Sequence, residues 1–205
     1  MRSRRTAGRL RTLGTGLCTA LLLAGGIGCS SVEAVRLPGA QPVQRVLVAP
    51  FRDDRCYRAL RDYVLFGTTG CENPGPVVAR HLGRGLESQG LHEVVPEGQA
   101  RPVLRKMSLS GAYPMDEEWL AAARVLGSSG VVVGEVRRYR SLWVLFFQVA
   151  SVAFEARCLE AATGKEVWRV RARGWAPFAA EERLVQKRCN EACAALKEKL
   201  AAPQK

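Results

Sequence analysis

The sequence has few of the residues that most often carry enzymatic chemistry. It contains only two histidines, His81 and His92. A general base needs a positioned nucleophile beside it, and no motif places one near either histidine. His81 stands next to Leu82 in a helical pattern, which favours a packing role. The sequence therefore argues against an enzyme that depends on histidine.

Metal-binding and phosphate-binding patterns are also missing. Cys189 and Cys193 are four residues apart, as two ligands on a helix could be, but no second ligand pair at zinc-like spacing accompanies them. Their place on an apolar stripe favours buried thiols. The pair Gly164-Lys165 lacks the flanking residues of a phosphate-binding loop. The sequence predicts no metal and no cofactor, and a thiol or metal enzyme is the least favoured class.

The amino-terminal segment lacks acids and lacks an apolar run long enough to cross a membrane. No Asp or Glu precedes Glu33, and five arginines precede an apolar run at residues 17–27. This layout is typical of a secretory signal. The run is about 11 residues long, against the roughly 20 that a spanning helix needs. We therefore expect residues 1–28 to be a signal peptide that is removed.

The stretch LLLAGGIGCSS resembles a bacterial lipobox, in which a cysteine receives a diacylglycerol on sulfur, gains fatty acyl chains such as palmitate, and becomes the new amino terminus. Ile27 and Gly28 fit that pattern, and Cys29 is then the lipidation site. Gly26 departs from it and would also suit ordinary signal peptidase, which leaves a soluble periplasmic protein as the alternative. Ser30 rather than Asp after the cysteine implies an outer-membrane lipoprotein that faces the periplasm.

The charge balance is basic throughout. The formal charge is +12, and removal of the five arginines of residues 1–28 leaves +7. In an exported protein this excludes cytoplasmic nucleic acid as the partner, so lipid headgroups, a cell-wall polymer or an acidic protein face remain. Solubility alone would explain the charge equally well. An apolar content of 47% over about 177 mature residues predicts one ordinary domain.

The first half of the chain predicts two strands and a helix. Residues 29–42 contain Pro38 and Pro42 and no sustained period, which indicates a lipidated tether, and the domain spans residues 43–201. Val43 to Phe51 reads as a buried strand. We predict a helix that begins near Pro76 and ends at Gly90, and a second strand from Leu91 to Pro96.

After a polar connection, the second half predicts a helix, three strands and a last helix. The helix begins at Asp116, a strand runs from Gly130 to Arg140, and a hairpin turns at residues 162–164. The last helix has an apolar stripe of Val185, Cys189, Cys193, Leu196 and Leu200. The order β α β α β β β α predicts an α/β fold, a mixed sheet flanked by helices as in anticodon-binding-like sandwiches.

Five cysteines remain after Cys18 leaves with the signal and Cys29 is lipidated. An odd number cannot all pair within one chain. Cys56 and Cys71 flank an irregular loop and are the candidate disulfide, which would contribute roughly 3 kcal/mol. The pairing of Cys158, Cys189 and Cys193 stays open, including a bond between Cys158 and either of the others.

Two surface features are candidates for binding. Strand alternation after the hairpin predicts an outer row of Lys165, Val167, Arg169, Arg171 and Arg173, with Arg137, Arg138 and Arg140 on a neighbouring strand. This row is either an anion-binding or partner-binding face or a charged surface that discourages edge pairing. The continuous apolar run at residues 142–147 contains Trp143, Phe146 and Phe147. These side chains either form an exposed patch that suits a partner or a bilayer surface, or they belong to the core.

Four stretches together resemble the superfamily of envelope lipoproteins related to the curli-secretion lipoprotein and the penicillin-binding-protein activator lipoproteins. They are RVLVAPF, LESQGLHEVVP, ARVLGSSGVVVGEV and ARCLEAATGKEVW. The resemblance implies the α/β sandwich, no catalysis, and a role in docking on, assembling or regulating envelope machinery. Ser129-Gly130 departs from the usual Ala-Asp. An oligomeric secretion channel is the alternative function, and the oligomeric state and specific partner stay open.

Overall fold

The described part of the chain forms an α/β sandwich. The computed structural model describes residues 30–39, 41–53, 73–107, 114–144 and 147–202, with the backbone alone at residues 97, 98, 142–144 and 147. These residues build a six-stranded mixed sheet, and helices pack on both of its faces. The predicted α/β class is confirmed.

The sheet joins a parallel part to an antiparallel part. Its strands lie in the order β1-β6-β5-β4-β2-β3, and β2 is parallel to both β3 and β4, whereas the other neighbours are antiparallel. The strands are β1 (Ser31–Arg36), β2 (Arg45–Val48), β3 (Glu93–Val94), β4 (Gly130–Val144), β5 (Phe147–Glu160) and β6 (Glu166–Pro177). The helices are α1 (Pro74–Ser88), α2 (Glu97–Lys106), α3 (Asp116–Val125) and α4 (Glu181–Ala201).

The sequence predicts an irregular tether before residue 43, and this prediction is wrong for residues 31–36. Instead, β1 forms the edge of the sheet and pairs with β6 along its whole length. Its alternate residues Val32 and Ala34 pack against the core, and Arg36 Nη1 donates a hydrogen bond to the carbonyl oxygen of Leu200 in α4 at 3.0 Å. Burial of one face therefore stabilises a strand where the flanking prolines indicate a loop.

The helix α2 is a second difference from the predicted order. It occupies the segment that the sequence treats as a polar connection, and it forms although Pro102 lies inside it. A proline in a helix interior removes one intrahelical hydrogen bond and usually ends the helix. Here Ala100 is buried and Leu104 packs against the same cluster, so tertiary packing outweighs the local preference.

The larger core lies between the sheet and the helices α1 and α4. It contains Trp168 and Phe154 from the sheet and Leu82 and Leu86 from α1. The predicted stripe of α4 is buried along Val185, Cys189, Cys193 and Leu196, and Leu200 is partly buried against it. The predicted end of α1 is confirmed by Gly90, whose φ of +66° is the left-handed conformation that closes a helix. No helix within the described residues is both long enough and apolar enough to span a bilayer.

The opposite face of the sheet is covered at one end only. There Trp119, Leu120, Ala122 and Ala123 of α3 pack with residues of α2 against the parallel part of the sheet. Over β1, β6, β5 and the distal part of β4, the same face carries charged and small side chains. We call this region the outer face, and it contains Glu33, Glu135, Arg138, Arg140, Ser151, Ala153, Glu155, Arg157, Arg169, Arg171 and Arg173.

Candidate docking surface

Strand alternation places three of the candidate arginines on the outer face of β6. Trp168, Val170 and Ala172 are buried in the larger core, so the residues between and after them point the other way. These are Arg169, Arg171 and Arg173. Val167, which the sequence places in the same row, is instead 4% exposed and packs in the core. A shift in register between Cys158 and Leu159 of the paired strand interrupts the alternation there.

A β-bulge brings the arginines of β4 to the same face. Val136 pairs with Phe154 of β5, but Arg138 pairs with Ala153, so Arg137 is an extra residue. Beyond the bulge, Arg138 and Arg140 lie opposite Ala153 and Ser151 on the outer face. The structure thus gathers the six candidate arginines on two strands that flank β5.

Glu155 lies at the centre of this group. Its side chain is 17% exposed, and its carboxylate oxygens lie 2.8 Å from Arg137 Nη2 and 3.2 Å from Arg171 Nε. Arg169 Nε lies 3.6 Å from the same carboxylate. Three guanidinium groups from two strands therefore share one partly buried acid. Glu155 does not stand out in the sequence, because its neighbours depend on the register of β5 with both adjacent strands.

Further acids lower the net charge of this cluster. Glu166 accepts two parallel hydrogen bonds from Arg169, at 2.8 and 2.7 Å, and this carboxylate raises the pKa of Arg169 above its ordinary value. Glu33 of β1 lies 3.9 Å from Arg171 Nη1. Paired arginines of this kind are held in place and still present donors to a partner. The sequence predicts a row of cations on this face. In the structure, arginines and glutamates form the surface together, so it carries both charges.

A cleft of about 250 Å³ lies between the outer face and the start of α3. Asp116 in the first turn of α3 accepts a hydrogen bond from Arg157 and lies 3.8 Å from Arg52. Trp119 of α3 lines the cleft together with Arg137 and Glu155 of the sheet. The cleft can receive a polar side chain or a short charged segment of a partner.

Several predicted site residues lie outside what the structure describes. Cys29, Cys56, Cys71 and Phe146 are outside the described residues, so lipidation and the Cys56–Cys71 disulfide stay predictions. The backbone of Trp143 pairs with Gln148, and that of Phe147 with Val144. Their side chains are not described, and the choice between an exposed patch and core stays open.

The three described cysteines, Cys158, Cys189 and Cys193, are buried free thiols. Cys189 Sγ lies 3.9 Å from the carbonyl oxygen of Val78, and Cys193 Sγ lies 3.9 Å from that of Leu82. The bond between Cys158 and an α4 cysteine that the sequence leaves open is therefore not formed. Burial raises the pKa of Cys193 to about 12 and also raises the pKa values of Cys158 and Cys189.

We expect these thiols to be unreactive in the native protein, because a buried thiol with a raised pKa forms little of the nucleophilic thiolate. Alkylation with a maleimide at neutral pH, followed by peptide mass analysis, should leave all three unmodified, and the same reaction in denaturant should modify each of them. Rapid labelling of Cys189 or Cys193 in the native protein would contradict the prediction that these thiols are unreactive. It would then favour a thiol enzyme.

Both histidines lie in packing positions. His92 Nδ1 donates to the carbonyl oxygen of Val43 at 2.9 Å, and His92 Nε2 accepts from Trp168 Nε1 at 3.0 Å. His81 lies on α1 with Nε2 3.4 Å from a carboxylate oxygen of Glu182 on α4. Across the described residues, no cluster of three or more His, Cys, Asp or Glu side chains could hold a metal ion.

The fold and the outer face define an α/β sandwich with an open, arginine-rich sheet surface. Among solved structures, the chain is similar to a variant of the PelC dodecamer from Paraburkholderia phytofirmans, with a TM-score of 0.57 and 13% identity over 82% of this chain and 97% of that one. A second PelC dodecamer from the same organism gives a TM-score of 0.54 and 14% identity over 85% of this chain and 99% of that one.

A further similarity is to lipoprotein GNA1162 from Neisseria meningitidis, with a TM-score of 0.47 and 15% identity over 77% of this chain and 98% of that one. No protein-family model and no curated protein sequence matches the chain. At these identities the two PelC structures establish a shared fold, which is the α/β sandwich that the sequence resemblance implies.

Proposed function

We propose that this chain is a non-catalytic, membrane-anchored lipoprotein that docks on another cell-envelope component as an accessory, assembly or regulatory factor. Cys29 is its lipidation site, and it faces the periplasm from the outer membrane. The observation that carries the proposal is the outer face, the part of the sheet surface that no helix covers, where arginines are held in a fixed array around Glu155.

The array suits recognition of a protein surface. Arginine is enriched in protein interfaces, and side chains that are already held by ion pairs lose less conformational freedom when a partner binds. Because Glu155 is only 17% exposed, its three arginines cannot move away without leaving a partly buried charge unpaired. The face is therefore organised before binding, and its mixed charges favour a partner with a complementary pattern.

The proposal predicts that reversal of charge on the outer face abolishes binding of the partner. We expect crosslinking in cells, followed by recovery from membranes, to capture one or more envelope components with the native chain and not with Arg169→Glu/Arg171→Glu. A matched control is Arg80→Glu/Arg84→Glu, which reverses two exposed arginines of α1 away from the outer face. The control should recover the same partners as the native chain.

Because the reversal also places acids beside Glu155, the milder Arg137→Gln is tested in parallel. All variants are compared by thermal unfolding before the capture experiment. Recovery of an unchanged set of partners by a folded Arg169→Glu/Arg171→Glu variant would refute the outer face as the docking surface.

A second candidate function is a subunit of an oligomeric assembly, such as a secretion channel. It is favoured by the PelC structures, in which chains of the same fold form a dodecamer. Size-exclusion chromatography with light scattering distinguishes the two. A stable ring of many subunits would support the oligomeric function and contradict a monomeric adaptor.

A further inference from the structure

The charges of the outer face are distributed unevenly along its strands. Around Glu155, arginines and acids offset one another. Farther along β4 and β6, Arg138 and Arg173 are exposed, and no carboxylate of the described residues pairs with either of them. The register aligns these two arginines in one row of the sheet, on either side of Ala153. This part of the face therefore carries positive charge that the described acids do not offset.

Two small residues of β5 form the floor of a shallow trough in this part of the face. In two successive rows, each of them lies between a long side chain of β4 and one of β6. We call these rows the trough, and they are Arg138, Ala153 and Arg173, then Arg140, Ser151 and Trp175. The two walls lie about 10 Å apart, because neighbouring strands are about 4.8 Å apart. An α-helix with its side chains is about 10 to 12 Å wide, so the trough admits an extended segment and not a helix.

The trough presents hydrogen-bond donors and an aromatic ring to a binding partner. No described residue accepts a hydrogen bond from the guanidinium groups of Arg138 and Arg173 or from the indole N–H of Trp175. Trp175 is partly exposed, and none of the six residues of the trough is an acid. Arginine and tryptophan are among the residues that most often dominate binding in protein interfaces. The donors therefore suit the carboxylates of a protein segment, and the ring suits an apolar side chain beside them.

The spacing of the arginines fits two consecutive acids. Successive side chains of an extended segment point in opposite directions, so a segment that lies along β5 directs one side chain to β4 and the next to β6. Arg138 and Arg173 lie opposite each other across Ala153, and two adjacent acids therefore reach one arginine each. A side chain two residues after the second acid reaches Trp175, which lies about 7 Å from Arg173 along β6.

We propose that the trough binds an extended acidic segment of the envelope protein on which this chain docks. Two consecutive acids of the segment pair with Arg138 and Arg173, and an apolar side chain packs on Trp175. The inference rests on the proposed function for the existence of a partner, whereas the charges and the strand register determine the chemistry of the segment.

The test uses the protein produced from the full chain and purified in detergent. The probe is the acetylated and amidated peptide Gly-Glu-Glu-Gly-Bpa-Gly, in which Bpa is the photoreactive residue benzoylphenylalanine, and the matched probe has two glutamines in place of the glutamates. Crosslinks are mapped by mass spectrometry, and we expect them at residues 149–153 and 173–177. The acidic probe should give about fivefold more product than the glutamine probe, the size expected for two exposed ion pairs.

Two variants and a control show whether the trough causes this difference. In Arg138→Gln/Arg173→Gln the yield of the acidic probe should fall to that of the glutamine probe. Ala153→Glu, which fills the floor with an acid, should lower the yield by a similar factor. The control Arg80→Gln/Arg84→Gln removes two exposed arginines of α1 and should leave the yield unchanged. Thermal unfolding confirms beforehand that each variant is folded.

Three results would overturn the inference. They are equal yields from the two probes, crosslinks that map elsewhere on the domain, and a yield that both folded trough variants leave unchanged. Alginate, a polymer of uronic acids, is added as a competitor. If it displaces the acidic probe at a carboxylate concentration equal to or below that of the peptide, the trough binds an acidic polymer and the assignment to a protein segment is wrong.

Failure of this inference is distinguishable from failure of the proposed function. If capture in cells is lost in Arg169→Glu/Arg171→Glu but unchanged in folded Arg138→Gln/Arg173→Gln, docking on the outer face stands and the trough is not its acidic site. If both variants capture the same partners as the native chain, the proposed docking surface itself is refuted. Loss of capture in Arg138→Gln/Arg173→Gln, together with loss of probe binding, supports the trough.

Discussion

Replacement of Trp168 by alanine is expected to lower the free energy of unfolding by about 3 to 5 kcal/mol, the range found when a large aromatic side chain is removed from a core. Trp168 is fully buried and is among the largest such side chains in the described core. Its ring also stacks on His92, with centroids 5.9 Å apart and planes 19° apart. Urea unfolding followed by circular dichroism measures the loss.

The variant Trp168→Phe separates the ring from its hydrogen bond. Phenylalanine retains much of the buried volume but has no N–H group, so His92 Nε2 loses the donor that lies at 3.0 Å. A buried acceptor left without a partner costs about 1 to 3 kcal/mol. A Trp168→Phe variant as stable as the native protein would show that the hydrogen bond contributes nothing, and a loss equal to that of Trp168→Ala would show that volume is unimportant.

The same pair of residues predicts a dependence on pH. Burial lowers the pKa of His92 below its ordinary value of 6.5, and the ring must be neutral to accept the hydrogen bond from Trp168. As pH falls below about 6.5, the unfolded chain takes up a proton that the folded protein does not, so the free energy of unfolding decreases. The decrease continues until pH passes the lowered pKa, at up to about 1.4 kcal/mol for each pH unit. In His92→Gln this component should be absent.

Replacement of Gly75 by alanine is expected to lower the free energy of unfolding by about 3 kcal/mol or more. A Cβ atom at this position would lie 2.0 Å from the carbonyl oxygen of Phe51. That oxygen belongs to the backbone, so neither side chain can rotate away and α1 must move relative to the sheet. The expected loss exceeds the 0.5 to 1 kcal/mol that alanine usually gains over glycine in a helix.

Two other glycines of α1 provide matched controls. At Gly83 an added Cβ would meet Val48 at an ordinary 3.6 Å, so Gly83→Ala should be neutral or slightly stabilising. At Gly85 the nearest atom is Cys193 Sγ at 2.8 Å, so Gly85→Ala should be destabilising, and Cys193→Ala should offset part of that loss. Equal effects of the Gly75 and Gly83 substitutions would contradict the close approach of α1 to Phe51.

The sequence predicts the elements whose signals are local. The helix α3 begins with three acids and is followed by Gly127, which has a φ of +65°. The stripe of α4 repeats with the helical period, and the hairpin of β5 and β6 alternates with period two. In each case the residues that decide the structure lie within one element. This is why the fold class could be read from the chain.

The parts that the sequence does not predict depend on distant partners. In β1, the alternation of Val32 and Ala34 with polar residues is present, but only pairing with β6 makes it a strand, and Pro38 and Gly39 favour a loop. The acids around Arg169 and Arg171 come from three different strands. The cluster therefore depends on the register of these strands and cannot be predicted from the composition of any one of them. The bulge at Arg137 likewise changes which face the following residues occupy, and no local signal marks it.

The position of β1 also has a consequence for the order of folding. It is the first strand of the sheet to be synthesised, and its partner β6 is the last. The edge of β6 therefore stays open, with its backbone N–H and C=O groups unpaired, until the amino-terminal residues return to it. An unpaired edge of this kind is a template for association with other chains. Loss of residues 31–36 by proteolysis would leave that edge open permanently and would turn a protected sheet into one prone to aggregation.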